Sequence, residues 1–235
     1  MVPRAIICDI EGTTSAISFV HKVLFPLSLE RLDAYLSAHA GDSEVAARLS
    51  ALEKQLGQGG ASPVDRLAVL SATLKKYIRD DVKDTTLKWL QGKIWKQAFE
   101  AGAIKGHVYG EVSEYFRLWK SSGYALFIYS SGSVEAQQLV FKYSEAGDLT
   151  VFIDGYFDTN TGMKRETASY EKIAVATGYL PAEMLFLSDI VEELNAAAGA
   201  GMQTCLLLRE SAQPPAGYLD KTAENFTEVH RQFFQ

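Results

Sequence analysis

The 235-residue chain is predicted to be an α/β protein, a doubly wound parallel sheet with a helical cap inserted after its first strand. Three observations carry that expectation. From about residue 108 onward, short apolar runs bounded by turn residues alternate with amphipathic helical stripes, the pattern of a parallel sheet covered on both faces. A run of the same kind, Ala5 to Cys8, stands alone near the start. Between them, residues 19 to 105 read as helix after helix with no strand pattern. The expected division is therefore 1–18 plus 106–235 for the α/β core and 19–105 for the helical insert.

Each element has its own local reason. Ala5 to Cys8 is a short apolar run that breaks into carboxylates, as a buried strand does at its end. Pro26 opens a helix with Leu29, Leu32 and Leu36 on one side, and Val45, Leu49, Leu52 and Leu56 form the next stripe. Gly57 to Gly60 breaks that stripe. Ser62-Pro63-Val64-Asp65 reads as an N-cap, an N1 proline and an acidic N3 opening a third helix, through Leu67, Leu70 and Leu74. A fourth follows Asp84, with Leu87, Leu90 and Ile94. Val112, Phe116 and Trp119 mark a helix before the strand run Tyr124 to Tyr129, and Ser130 to Ser133 leads into a helix with Leu139 and Tyr143. A short strand is expected at Val151 to Ile153. A helix follows over Thr167 to Thr177, closed by Gly178. Strands at Met184 to Leu187 and Thr204 to Leu208 flank a helix at 191–198.

Composition excludes several classes of partner. Nearly half the residues are apolar and the net charge is −6, which argues against nucleic acid or an acidic membrane surface. An anionic substrate then needs a local positive feature, a metal or a placed lysine. The two cysteines, Cys8 and Cys205, both lie in apolar runs, which reads as buried thiols in a reducing compartment rather than a disulfide. Asp9 and Glu11 cut the N-terminal apolar run too short for a signal peptide, and no apolar run reaches membrane-spanning length. The expectation is a cytoplasmic protein.

The chemistry concentrates at strand ends. In Asp9-Ile10-Glu11-Gly12-Thr13-Thr14 the two acids stand two residues apart, so an extended backbone sends them to one side. Open parallel sheets bind ligands at that C-terminal edge. Crowded acids there need a cation or a proton between them, so a hard metal ion or a covalent aspartyl intermediate is expected. Ser130 and Ser131 follow a strand run and precede a helix start, an arrangement suited to phosphate. Lys164 follows the turn-like Asp158 to Gly162, and Asp189 ends the run Met184 to Ser188 with Glu192 and Glu193 one turn later. Acids for a divalent metal, a hydroxyl for phosphate and a lysine to neutralise it make a phosphoryl-transfer site.

These four features resemble the haloacid dehalogenase-like hydrolase superfamily over essentially the whole chain, including its Rossmann-like hydrolase core and helical cap. Glu11 stands where most phosphatases of that superfamily carry aspartate. With Thr13-Thr14, Phe19 to Pro26, Leu90 to Trp95, Gly106 to Tyr109 and Ile128 to Ala136, the chain is similar to the enolase-phosphatases (acireductone synthases) of methionine salvage. That resemblance implies enolisation of 2,3-diketo-5-methylthiopentyl-1-phosphate, then dephosphorylation to 1,2-dihydroxy-3-keto-5-methylthiopentene.

It further implies one Mg²⁺ per chain and no organic cofactor. Asp9 is the implied nucleophile and Glu11 the acid/base. Ser130, Ser131 and Lys164 are the implied substrate contacts. Asp9, Asp189 and the main-chain carbonyl of Glu11 are the implied metal ligands. Many relatives carry two aspartates in the last motif, whereas here the first position is Ser188, which leaves Glu193 as the second acid.

His21 and His107 are lone histidines and are not assigned as bases. Phe19, Phe25, Gln91, Gly92 and Trp95 read as helix packing at least as readily as substrate lining. A small phosphorylated diketone is the expected partner, and a monomer the expected state. The alternative within the same superfamily is a plain capped phosphatase or phosphomutase. A signalling receiver module is disfavoured, because its acid pair precedes the phosphorylated aspartate by a whole strand and it lacks a large helical insert.

Overall fold

The computed structural model describes residues 2–57, 63–209 and 213–235, with only the backbone described for 63–65. The chain divides into two compact units, Met1–Ile17 with Lys105–Gln235, and Ser18–Ile104.

The first unit is built on a six-stranded sheet whose paired strands all run parallel. Its strands are β1 (Ala5–Cys8), β2 (Ala125–Tyr129), β3 (Gly155–Phe157), β4 (Met184–Ser188), β5 (Gln203–Leu207) and β6 (Thr222–Ala223). The order is β3-β2-β1-β4-β5-β6, so the winding reverses between β1 and β4, the place where such sheets open a crevice at their C-terminal edge. Ala5 pairs with Ala125 on one side and Met184 on the other, and Cys8 with Ile128 and Leu187. The acids after β1 thus emerge level with the ends of both neighbours.

Alternation along the strands splits the core in two. Ile6, Cys8, Leu126, Ile128, Leu185 and Leu187 pack with α6 (Val112–Ser121) and α10 (Phe226–Phe233). Ala5, Ile7, Phe127, Tyr129 and Phe186 pack with α8 (Thr167–Thr177) and α9 (Val191–Gly199). Both faces are covered, so the strands carry apolar residues in succession instead of alternating with polar ones.

The strand expected at Val151–Ile153 is not there. Asp148 accepts a hydrogen bond from the Thr150 N–H (2.9 Å) and turns Thr150–Phe152 into a 3-10 turn, with Val151 exposed. Pairing begins only after Asp154, which donates its N–H to Leu126 O (2.7 Å) and accepts from the Leu126 N–H (2.9 Å). The edge strand is the less hydrophobic Gly155–Phe157. β6 and α10 are not among the elements expected from the sequence, although Phe226, Val229 and Phe233 recur at helical spacing behind an Asn225 cap that accepts from the Glu228 N–H (3.0 Å).

The second unit is helical: α2 (Phe25–His39), α3 (Ser43–Gln55), α4 (Pro63–Arg79) and α5 (Thr85–Glu100). Its core joins Leu32, Leu36, Leu49, Leu52, Leu70, Leu74, Leu87, Leu90 and Ile94, the stripes read from spacing. Asp84 caps α5 by accepting from the Leu87 N–H (2.8 Å). The cap assigned to Ser62 lies outside the described residues. Between the short α1 (Ile17–Phe19) and α2, residues Val20–Leu24 form a π-helical turn, where Phe25 donates its N–H to Val20 O. Pro26, with no N–H, cannot complete the regular ladder just beyond it. The Trp95 Nε1–H bonds Leu24 O (3.1 Å) and Ser28 Oγ (2.8 Å), satisfying polar groups around that turn. No described helix is long and apolar enough to cross a membrane.

Phe116 is fully buried against Trp119, Phe141 and Phe226. Truncation, Phe116→Ala, is expected to cost about 3–5 kcal/mol, read as a lower urea midpoint.

Candidate active site

At the end of β1 the backbone folds into a tight loop. The N–H groups of Thr13, Thr14 and Ser15 all converge on Ile10 O (3.2, 3.0 and 2.8 Å), and the Gly12 N–H bonds Ser15 O (2.7 Å). Gly12 sits at φ +71°, and a Cβ there would run into the Asp189 carboxylate. Glycine is therefore required both by backbone conformation and by space. The Thr14 hydroxyl donates back to Asp9 O (3.1 Å). The loop makes Asp9 a fixed group, 5% exposed, with its Oδ1 accepting from the Ile10 N–H (2.7 Å). Glu11, at the head of the loop, is exposed.

Lys164 reaches this carboxylate from beyond β3. Its Nζ lies 2.6 Å from Asp9 Oδ1 and 2.6 Å from Glu193 Oε2, and the residue is 6% exposed. The segment that carries it is pinned from three directions. The Tyr129 hydroxyl donates to Gly162 O (2.8 Å), the Ser169 hydroxyl to Met163 O (2.8 Å) and the Tyr170 hydroxyl to Lys164 O (2.7 Å). Glu193 is held in turn by the Ser188 hydroxyl (2.9 Å). Ser188 thus orients the second acid, and that acid grips the lysine.

Ser130 is buried at the end of β2, its N–H on Phe157 O (3.2 Å) and its Oγ accepting from the Gly132 N–H (3.3 Å). Ser131 is exposed. Helix α7 (Val134–Lys142) starts just beyond, capped by Ser133, whose Oγ accepts from the Ala136 N–H (3.3 Å). The structure therefore joins Asp9, Lys164 and Glu193 directly and sets Asp189 against Gly12. Ser130 stands on the neighbouring strand end, while Glu11 and Ser131 face solvent.

A family model described as haloacid dehalogenase-like hydrolase matches residues 3–201. The chain belongs to the haloacid dehalogenase-like hydrolases. This hydrolase is 49% identical over 231 residues to the protein named Enolase-phosphatase E1 of Azotobacter vinelandii, covering 97% of this chain and 98% of that one. It is 52% identical over 209 residues to the protein of the same name from Serratia proteamaculans, covering 89% and 90%. Among solved structures it superposes on the UTR4 protein of Saccharomyces cerevisiae with TM-score 0.79 and 38% identity, covering 95% and 98%. It also superposes on a HAD phosphatase from Thermococcus onnurineus with TM-score 0.62 over 98% of both chains, at 16% identity, a likeness of fold alone.

The hydrolase's electrostatics divide the site into a paired and an unpaired half. For Lys164, burial opposes the charged form, but Asp9 and Glu193 outweigh it and hold the ammonium above its ordinary range. Glu193 is raised by burial and by the charge of Asp9. Asp189 has no such partner among the described residues. Burial first, then the Asp9 charge, push it up to about 7, and its Oδ1 is buried with no hydrogen-bond partner among the described residues.

An unpartnered buried carboxylate oxygen beside a second carboxylate suits a hard divalent cation. Among the described residues no three His, Cys, Asp or Glu side chains form a metal cage.

Two residues that sequence reading passed over support this edge. Arg209 donates Nε–H to Thr13 O (2.9 Å), pairs with Glu111, and stacks over Tyr109 and Phe226. Gln137 ties down the Ser130 loop through three backbone carbonyls. Arg209 reaches partners on distant elements, and Gln137 joins the loop before its own helix to the end of β3, contacts that spacing along the chain does not mark.

Folded, metal-free protein holds the Asp189 proton to about pH 7, whereas an unfolded chain releases it near pH 4. Stability contributed at Asp189 therefore falls as pH rises between those values. Without metal, Asp189→Asn is expected to be more stable than the parent by about 1–3 kcal/mol at pH 8 and nearly equal at pH 4. Urea unfolding at the two pH values reads the difference, and equal effects at both would refute it.

Proposed function

We propose that this hydrolase is a bifunctional enolase-phosphatase of methionine salvage. In this reading it converts 2,3-diketo-5-methylthiopentyl-1-phosphate to 1,2-dihydroxy-3-keto-5-methylthiopentene and phosphate. The observation that carries the reading is the buried Asp9 at the sheet's C-terminal edge, 2.6 Å from Lys164, in a chain about half identical to proteins named Enolase-phosphatase E1. The family, shared over nearly the full length of those relatives, makes it a hydrolase of a phosphate monoester.

Enolisation moves a proton from C1 to the oxygen on C2 and makes the phosphate ester that of an enol. An Asp9 carboxylate oxygen then attacks phosphorus, and the bond from phosphorus to the enol oxygen breaks as an aspartyl-phosphate forms. Glu11, exposed at the loop head, supplies the proton to the leaving oxygen. It later takes one from the water that attacks phosphorus, releasing phosphate and restoring Asp9. Ser130 and Ser131 donate to phosphoryl oxygens. The ammonium of Lys164 has three N–H groups and only two carboxylate partners within ion-pair distance among the described residues. Its third N–H is assigned to the phosphoryl group.

Asp9, Asp189 and the main-chain carbonyl of Glu11 would hold one Mg²⁺. When bound, this ion screens the anionic nucleophile from the anionic phosphate and polarises the substrate oxygens. The helical unit inserted after β1 serves as the cap of this family. Two buried free thiols, Cys8 and Cys205, support a reducing, cytoplasmic setting. The separate apolar core in each unit supports a monomer.

The test is an aerobic assay of the diketo phosphate with Mg²⁺, following enol absorbance and phosphate together. Both signals are expected to be Mg²⁺-dependent, and Asp9→Asn is expected to lower phosphate release by about a thousandfold or more. Release from simple esters, with none from the diketone, would leave a plain phosphatase and refute the methionine-salvage reading.

A further inference from the structure

Gln137 stands one turn into α7, 1% exposed, and makes an uneven set of hydrogen bonds. Its Nε2 donates to Gly132 O (2.8 Å) and Phe157 O (2.8 Å), with Ser130 O at 3.4 Å. Three carbonyls around one terminal atom define which end of the amide it is, since only the nitrogen can donate. The other end, Oε1, is buried with no partner among the described residues. Buried amides ordinarily satisfy both ends, so an overloaded donor beside an idle acceptor calls for a reason.

The reason lies in what the three carbonyls belong to. Ser130 and Gly132 bracket the loop between β2 and α7, and Phe157 ends β3. Phe157 O also receives the Ser130 N–H (3.2 Å). Carbonyl dipoles gathered at one point put negative potential behind a loop that is to receive an anion. An amide N–H₂ set among them offsets that potential, and it holds the carbonyl oxygens on the helix side of the loop. A purely apolar residue of similar size would fill the same space and supply neither effect.

We propose that Gln137 is a positioning residue for the phosphoryl-binding loop Ser130–Gly132, holding its carbonyls back so that the loop accepts a phosphoryl group. This rests on the reading that Ser130 binds phosphoryl oxygens. It acts on the anion half of the site and not on the carboxylates that hold the metal.

The experiment uses the full chain and orthovanadate, with Mg²⁺ present, as the phosphoryl probe. Gln137→Leu is expected to weaken orthovanadate binding about tenfold and to leave Mg²⁺ affinity, measured without the anion, unchanged. Ser133→Ala removes the cap of the same helix and is the structural control, expected to lower the melting temperature but keep orthovanadate affinity within about twofold. Gln137→Met, closer in shape, carries the measurement if the leucine variant does not fold. Parent-like orthovanadate binding in the Gln137 variants, an equal loss in Ser133→Ala, or a parallel loss of Mg²⁺ affinity would overturn the assignment. Ser130→Ala separates the two readings. Unchanged orthovanadate binding there would refute Ser130 as the phosphoryl contact, and this inference with it.

Discussion

The ammonium of Lys164, held 2.6 Å from both Asp9 and Glu193 inside the protein, is the interaction around which the sheet's C-terminal edge is organised. Buried carboxylates need a partner, and a buried lysine without acids would lose its charge. Three chain segments are joined by this contact: the loop after β1, the turn after β3 and the start of α9. Removing one member leaves the others buried and uncompensated, which costs more than the pair itself contributes. The hydroxyls of Tyr129, Ser169 and Tyr170 are spent on the backbone of 162–164, so the lysine is delivered by a rigid segment and not by a free arm.

The charge balance at this edge is uneven. Asp9 and Glu193 share the Lys164 ammonium, and Asp189 is left out of the pairing. Its carboxyl is pushed up to about 7 by burial and by Asp9. A carboxylate buried without a cationic partner lowers stability locally. Gly12 makes the approach of Asp189 to the β1 loop feasible, since any side chain there would occupy the carboxylate's place.

Much of this was legible because strand ends announce themselves. Asp9, Ser130 and Asp189 each follow directly on an apolar run, and a parallel sheet must bring those ends to one edge. Helical stripes in the second unit were equally plain, since Leu32 and Leu36, Val45, Leu49 and Leu52, Leu70 and Leu74, and Leu87, Leu90 and Ile94 recur at three or four residues. The strand placed at Val151–Ile153 failed because its apolar residues matched a strand composition, whereas the pairing was decided by hydrogen bonds to Asp148 and Asp154. The π-helical turn was missed because Pro26 was read only as the start of a helix.

The sequence by itself determined the parallel α/β class, the helical insert and the strand-end acids, lysine and hydroxyls, because these depend on local periodicity and on residue type. Only the tertiary structure decided how the charges pair. Ser188 steers Glu193 onto Lys164, Arg209 braces the Thr13 carbonyl, and Gln137 gathers carbonyls from the β2–α7 loop and from the end of β3. The Arg209, Lys164 and Phe157 contacts join residues far apart in the chain, and all of these energies depend on distance and burial, which spacing along a sequence does not encode.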